Sequence, residues 1–442
     1  MRYDWNGLKK YLKYGPIVCE RLMPGVSVVW VFDPNDIAEV MTEEPGHYPR
    51  RRSHLALEKY RLDRPEIYSS AGLLPTNGEE WWRMRSAFQQ PISKPLNVRN
   101  FLPKADDTIK SFLNFLPSTF SDSQEIKDML PELLRVSLEL TCLMAFDESM
   151  DALSENGRKP NSMASKLMKA ARATTARTLP LDQGLPLWRL FNTPMYREFC
   201  KAQDYIGSVV VAMVARKQKS NAEGNSLLDQ YLKNPKLTVK DIHTMAADLL
   251  LGGADTTGFT ISFALYHIAN HPEIQELMFK EAATVLPDAN DSLSASAINS
   301  EIPYTRAVLK ECLRLNPIAV GVGRITNRDM VLSGYRVPKD TTVVVLNQIS
   351  SYLEKNFREP LKFKPERWMR DENQKKPDIN PYVSLPFGHG TRSCIARRFA
   401  EQNLLVLLLR LMRVYKLEWR GCKGPLETVT TLINQPSNKC PL

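Results

Sequence analysis

What the sequence lacks excludes several kinds of protein. Its seven cysteines, at 19, 142, 200, 312, 394, 422 and 440 of 442 residues, form no CxxC pair and no regular framework, so neither a disulfide scaffold nor a zinc ribbon is expected and a reducing compartment fits better. No uninterrupted apolar run reaches the roughly 18 residues of a spanning helix, and the start MRYDWNGLKK has the pattern of neither a signal peptide nor a transit peptide. Any membrane contact is then peripheral, or its anchor lies outside this sequence. Histidines are few, six in all; His267 and His271 lie four apart, but no HExxH carboxylate accompanies them and a helix-stopping proline follows, so zinc is not expected there. Repeats and low-complexity tracts are missing too, and no Pro/Gly cluster divides the chain, so one domain over residues 1–442 is the expectation. A net charge of +10 calls for acidic partners, but no Lys/Arg block forms a nucleic-acid arm; Arg50 to Arg52 reads as a solvated turn.

What is present is mainly helical. Short β-like runs at Ile17-Val18 and Val26 to Phe32 flank Met23-Pro24-Gly25, a hairpin turn. From about Pro103 to Arg216 apolar residues recur at three and four positions, the pattern of amphipathic helices. Thr238-x-x-Asp241 makes a capping box for a helix of about thirty residues that stops at His271-Pro272 and is apolar all round near Ala246 to Leu251, marking it as buried and central. Pro303 to Leu315 is a further helix, Val331 to Val337 and Thr342 to Leu346 are strand-like, a last helix runs from about Ile395 to Val414, and Thr428 to Ile433 has β character. The fold class is therefore mainly α with minor β.

The chemistry points to Phe387-Gly-His-Gly-Thr-Arg-Ser-Cys394-Ile-Ala396, which sets a cysteine at the mouth of a long helix behind two glycines able to take φ > 0. Backbone N–H groups and the positive end of the helix dipole suit a thiolate, the form that binds a metal. A buried structural cysteine is the plainer alternative, but Phe387, Gly390, Arg392, Cys394 and Ala396 fit one fixed spacing together. In the central helix, Gly252-Gly253-Ala254-Asp255-Thr256-Thr257 is poor helix, each glycine costing about 1 kcal/mol against alanine; either a close helix crossing or a need for open space explains it.

The cysteine segment resembles the F-x-x-G-x-R-x-C-x-G/A signature of the cytochrome P450 family, with Ala396 where glycine is commoner, and the resemblance covers almost the whole chain. It implies the family's long central helix over haem b, small sheets, and a haem-thiolate monooxygenase with Cys394 as iron ligand and dioxygen as co-substrate; in that family the axial thiolate favours O–O cleavage. It further implies Asp255 and Thr256 as a proton relay beside open space left by the glycines. Glu311, Arg314 and Arg367 become a buried structural triad. The haem carboxylates are clamped by Arg85 and Trp81 of Trp81-Trp-Arg-Met-Arg85, by Arg324 and by Arg392, with Phe387 also cofactor-binding; His389 either reaches them or is a solvated turn residue.

Tyr48-Pro-Arg-Arg-Arg-Ser-His54, Gly72-Leu-Leu-Pro-Thr-Asn-Gly78 and Cys394-Ile-Ala-Arg-Arg-Phe-Ala-Glu401 resemble the animal mitochondrial branch, and most of all arthropod hydroxylases of ecdysteroid precursors. That branch implies electrons from an acidic two-iron, two-sulfur ferredoxin served by a reductase, docking on Arg306, Lys310, Arg397 and Arg398. It also implies a monomer on the matrix side of the mitochondrial inner membrane and an apolar sterol or steroid substrate lined by Leu250, Ala254, Ile318, Val320 and Leu432. Leu185-Pro-Leu-Trp188-Arg-Leu-Phe191 is apolar, aromatic and flanked by cations, as an interfacial segment is, though a buried loop would read the same. No basic, serine-rich presequence precedes Tyr3, so a trimmed N-terminus is expected. Two other readings share the fold: an isomerase or lyase needing no external electrons, against which the intact Asp255-Thr256 pair argues, and a silent sterol- or haem-binding protein, whose mark would be a damaged cysteine loop.

Overall fold

The computed structural model describes residues 3–23, 25–43, 46–220, 224–371, 375, 377–421, 424, 426–437 and 439–442. Helices dominate: α1 (Leu55–Leu62), α2 (Gly78–Ser93), α3 (Pro95–Phe115), α4 (Leu130–Phe146), α5 (Met163–Gln183), α6 (Pro194–Lys219), α7 (Val239–Gly253), α8 (Thr256–Ala269), α9 (Pro272–Val285), α10 (Pro303–Leu315) and α11 (Arg397–Val414). The strands are β1 (Ile17–Met23), β2 (Val26–Val31), β3 (Val322–Ile325), β4 (Met330–Leu332), β5 (Tyr335–Val337), β6 (Thr342–Val345), β7 (Thr428–Thr430) and β8 (Asn434–Pro436). β1 and β2 are the antiparallel arms of the expected hairpin, although Pro24 of its turn lies outside the described residues. The four-stranded sheet has the order β1-β2-β6-β3, with β2 and β6 parallel. The run Val331 to Val337 is two strands, because Ser333 and Gly334 both take positive φ, 46° and 82°, and turn the chain back. The C-terminal stretch likewise splits into β7 and β8.

The capping box at Thr238 is present, its Oγ1 accepting from Asp241 N at 3.1 Å while Thr238 N donates to Asp241 Oδ2 at 2.8 Å. The single helix of about thirty residues is not: it breaks into α7 and α8 at Ala254 and Asp255. Two hydroxyls account for the break. Ser137 Oγ of α4 donates to the carbonyl of Gly253 at 2.9 Å, and Thr256 Oγ1 folds back onto Gly252 O at 2.7 Å, so side chains occupy carbonyls that a continuous ladder would use.

α4 crosses both halves closely. A β-carbon on Gly253 would lie 2.6 Å from Thr141 Oγ1, and one on Gly258 would lie 3.1 Å from Leu133 O. Gly252 differs, for a β-carbon there would meet nothing within 4 Å. Both explanations of the glycines therefore hold, at different residues: Gly253 permits the crossing and Gly252 borders open space.

The helices share one large apolar core, whereas α1, Leu181, Trp188 and the start of α6 (Tyr196, Phe199) form a smaller cluster of their own. No described helix is long and apolar enough to cross a membrane.

Candidate active site

Gly388 and Gly390 turn the cysteine loop at φ 72° and 69°, as their lack of a β-carbon allows, and Cys394 N donates to Phe387 O at 2.8 Å to close it. At Gly390 the left-handed turn also admits Glu43, which accepts from Thr391 N at 2.7 Å. α11 starts at Arg397, two residues later than the sequence suggests, because Ile395 and Ala396 form a turn. Cys394 keeps accessible surface, yet burial raises its thiol pKa: protein surrounds the residue and leaves it at a recess. The Ala396 N–H and the charges of Arg85 and Arg397 act in the opposite sense, favouring the anion.

Around the recess the chain gathers cations. Arg392 lies with its Cζ 4.8 Å from the centre of the Trp81 ring and donates to Pro49 O, Asn77 Oδ1 and Thr76 O at 2.6–2.8 Å, while its buried Nε has no partner among the described residues. Burial, then repulsion by Arg51, Arg324 and Arg85, lowers its pKa to about 8. Arg324, placed by β3 and donating to His389 O at 3.1 Å, falls to about 10 through burial, and so does Arg85. Arg51 joins them at about 10, by burial and by repulsion from Arg324. The segment Arg50 to Arg52 is thus not a solvated turn: Arg50 pairs with Asp340, its carbonyl accepts from Ile325 N at 2.8 Å, and Arg51 donates to Leu74 O at 2.8 Å. Only Arg52 of the three is exposed. Guanidiniums crowded together at a buried site are unfavourable without an anion, and a planar dianion against Arg51, Arg85, Arg324 and Arg392 would relieve them.

On the central helix pair, Asp255 is buried and Thr256 half-buried. Burial raises the Asp255 carboxyl to about 6, against the opposing influence of the Arg172 charge and the Thr175 hydroxyl on α5.

The Cytochrome P450 family model matches residues 8–440 of this chain. The chain belongs to the cytochrome P450 family. It is 49% identical to cytochrome P450 302a1, mitochondrial, of Drosophila melanogaster over 99% of this chain and 88% of that protein. It is also 32% identical to the probable cytochrome P450 12b2, mitochondrial, of the same species, over 96% of this chain and 81% of the relative. Like other P450s it is a monooxygenase that uses haem on a cysteine thiolate together with dioxygen, and the exposed Cys394 and the cation cluster fit that group.

Away from the recess, the P450 triad is a buried knot. Five N–H groups converge on Glu311: Arg314 Nε and Nη2 at 2.9 and 2.8 Å, Arg367 Nε at 2.9 Å, Trp368 Nε1 at 2.8 Å and Lys364 N at 3.0 Å. Burial would raise the Glu311 carboxyl, but the hydrogen bond and charge of Arg314, then the Lys364 N–H and the charge of Arg367, hold it below its ordinary value. His267 is committed elsewhere, its Nε2 2.7 Å from Asn316 Oδ1 and its ring stacked 4.4 Å from Phe363.

α10 and α11 pack together and carry the four expected docking cations. Lys310, Arg397 and Arg398 are exposed, whereas Arg306 is half-buried and donates to Ile298 O at 2.5 Å. Arg397 also pairs with Glu401, and Arg398 reaches Ser93 O at 2.7 Å. Of the expected lining, Asn434 N donates to Ile318 O at 2.8 Å, bringing the β7–β8 hairpin with Leu432 beside the Ile318 to Gly323 segment. Val320 and Leu432 keep accessible surface; Leu250 and Ala254 are packed at 1% and 2% exposure.

Residues that sequence reasoning passed over include Arg51, Asn77, which accepts from both Arg51 N and Arg392, and Glu43. Arg51 had a signal, its place in the quoted Tyr48 to His54 segment, but three adjacent arginines give no sign of which one turns inward.

Proposed function

We propose that Cys394 is the haem ligand and that the substrate is an apolar sterol or steroid of the ecdysteroid-precursor kind, hydroxylated with electrons from an acidic two-iron, two-sulfur ferredoxin. One observation supports the reading: Arg85 is an electrostatic neighbour of both the exposed Cys394 and the crowded guanidinium of Arg392, so the thiol and the cationic clamp share one recess. When bound, the haem supplies the redox chemistry that splits dioxygen and places one oxygen atom on carbon. Arg85, Arg324 and Arg392, with Arg51, hold its carboxylates, and Trp81 and Phe387 flank them. Val320, Ile318 and Leu432 offer apolar contact to the substrate, and the Glu311 knot fixes the scaffold below.

The chain's own part in proton supply falls to Asp255 and Thr256. A carboxyl near pKa 6 exchanges protons readily around neutrality, and the Thr256 hydroxyl beside Gly252 is positioned to hand one on. Because its folded pKa is raised, Asp255 favours folding most in the protonated form, and that contribution drains away as pH rises through about 6. Asp255→Asn should lower turnover about 100-fold and remove the limb of the pH–rate profile near 6, without loss of thermal stability at pH 7. A variant with an unchanged profile would remove the residue from the relay.

The relatives are named as mitochondrial proteins, which supports a mitochondrial location; the matrix side of the inner membrane and a monomeric state are part of the proposal. Supporting surface contact, Leu185, Leu187, Leu190 and Phe191 are exposed, at 71%, 45%, 82% and 57%, around a buried Trp188 that donates to Leu181 O at 3.0 Å. Flotation with anionic vesicles should fall several-fold in Leu190→Ser/Phe191→Ser; full retention would assign these side chains elsewhere. The function itself is tested by reconstitution. Sterol hydroxylation that requires reduced ferredoxin and falls steeply with salt supports it, and product formed without any electron donor would show an isomerase or lyase instead.

A further inference from the structure

The tip of the cysteine loop, residues 389–391, is held from both sides by opposite charges. Arg324 on β3 donates through Nη2 to His389 O at 3.1 Å, and Glu43, two residues past the helix Pro34–Met41, accepts from Thr391 N at 2.7 Å through Oε1. Each charge meets a backbone group of matching polarity, the cation a carbonyl and the carboxylate an N–H, which makes both bonds stronger than neutral ones. Gly390 turns between them at φ 69°, and a β-carbon on it would lie 2.7 Å from Glu43 Cδ. The carboxylate is thus seated directly on this glycine, with Arg392 and Cys394 following two and four residues later.

Tethering a loop needs an acceptor but not a charge, since a glutamine oxygen would serve the Thr391 N–H as well. The carboxylate adds a negative charge beside cations that otherwise serve the cofactor's carboxylates. Glu43 is half-buried and shares with Arg324 the wall of one open cleft, together with Met41, His47, Tyr48 and Arg328. Burial lowers the pKa of both Arg324 and Arg85, and the Glu43 charge acts against it at each. An anion fixed near a redox centre disfavours the arrival of a further electron there and so lowers its reduction potential.

We propose that Glu43 is a positioning residue with two roles: through Thr391 N it holds the cysteine loop in its ligating form, and through its charge it keeps the reduction potential of the haem iron low. The inference rests on the reading of Cys394 as the ligand, and on neither the sterol nor the ferredoxin. Glu43 acts from outside the ligand, as the partners of ligands do in metal sites generally: it grips the backbone three residues before the sulfur. Arg324 is its counterpart, one hand on the same loop and the other side of the same cleft.

Glu43→Gln and Glu43→Ala separate the two roles. Glutamine keeps an oxygen for Thr391 N and removes the charge; alanine removes both. Haem-loaded wild type and variants are compared by spectroelectrochemical titration in low and high salt, and by the rate at which apomyoglobin takes up their haem. The potential should shift positive in both variants, and the shift should shrink in high salt because the carboxylate borders solvent. Haem release should quicken several-fold in Glu43→Ala and stay near wild type in Glu43→Gln. Failure of Glu43→Ala to load haem at all, with Glu43→Gln loading normally, is the limiting case of the same loss. Potentials equal to wild type in both variants, or a shift that ignores salt, overturn the electrostatic role; haem release unchanged in Glu43→Ala overturns the positional one. A wild type without a thiolate-type band in its reduced, carbon-monoxide-bound spectrum removes the ligand reading and this proposal with it, whereas a normal band beside unmoved potentials and release rates removes the proposal alone.

Discussion

Cys394→Ala is expected to abolish the thiolate-type Soret band of the reduced, carbon-monoxide-bound protein and to take turnover to background. Alanine offers iron no electron pair, and none of the other described cysteines lies in the loop: Cys142, Cys312 and Cys440 are buried, with thiol pKa values raised by burial, while Cys19 stands on β1 and Cys200 on α6. The fold should survive. The bond that closes the loop, Cys394 N to Phe387 O, belongs to the backbone, and the turns at Gly388 and Gly390 do not involve the sulfur. The measurement is an absorption spectrum of haem-loaded protein beside a melting curve of the same sample. A thiolate band that persists in the variant would mean another ligand and would undo the site described here.

The second large effect is expected at Glu311, far from any reacting atom. Glu311→Gln should destabilise the protein by about 3–5 kcal/mol, the usual result of removing one partner from a buried ion pair, and lower the apparent Tm on the order of 5 °C. The argument lies in the geometry of the acceptor. Five donors from four residues point at two carboxylate oxygens, with Arg314 and Glu311 both at 0% side-chain exposure. An amide retains one oxygen and turns N–H groups toward the arginines. Since the folded pKa of Glu311 is depressed, its contribution is fully present above the ordinary carboxylate range and is lost as pH falls through the folded value. The wild-type and variant stabilities should therefore converge in acid. A melting temperature unmoved by the substitution would show that the knot contributes little beyond packing.

Much of this was legible before any coordinates. Caps and stops are local: the box at Thr238 and the Asn316-Pro317 stop after α10 stand where side-chain chemistry puts them. Glycines before Cys394 announced a turn because only they take positive φ without strain. What failed to show was anything that depends on a second element. The break in the central helix comes from Ser137, more than a hundred residues upstream, and the inward turn of Arg51 comes from Leu74 O and Asn77. His54, left-handed at φ 60°, is likewise held by Asp182 from another helix. The resemblance named Arg85, Arg324 and Arg392, which the fold gathers with Arg51, but periodicity cannot tell which of three consecutive arginines a fold will bury.

The separate apolar cluster of α1, Trp188, Tyr196 and Phe199 sets how this protein can breathe. Lifting that patch disrupts its own aromatic stack and the Asp182 and Asp204 contacts to His54, Leu55 and Tyr60, while the Glu311 knot and the cysteine turn belong to other parts of the molecule. Amide exchange should therefore be quicker in that patch than in the Glu311 knot and the cysteine loop.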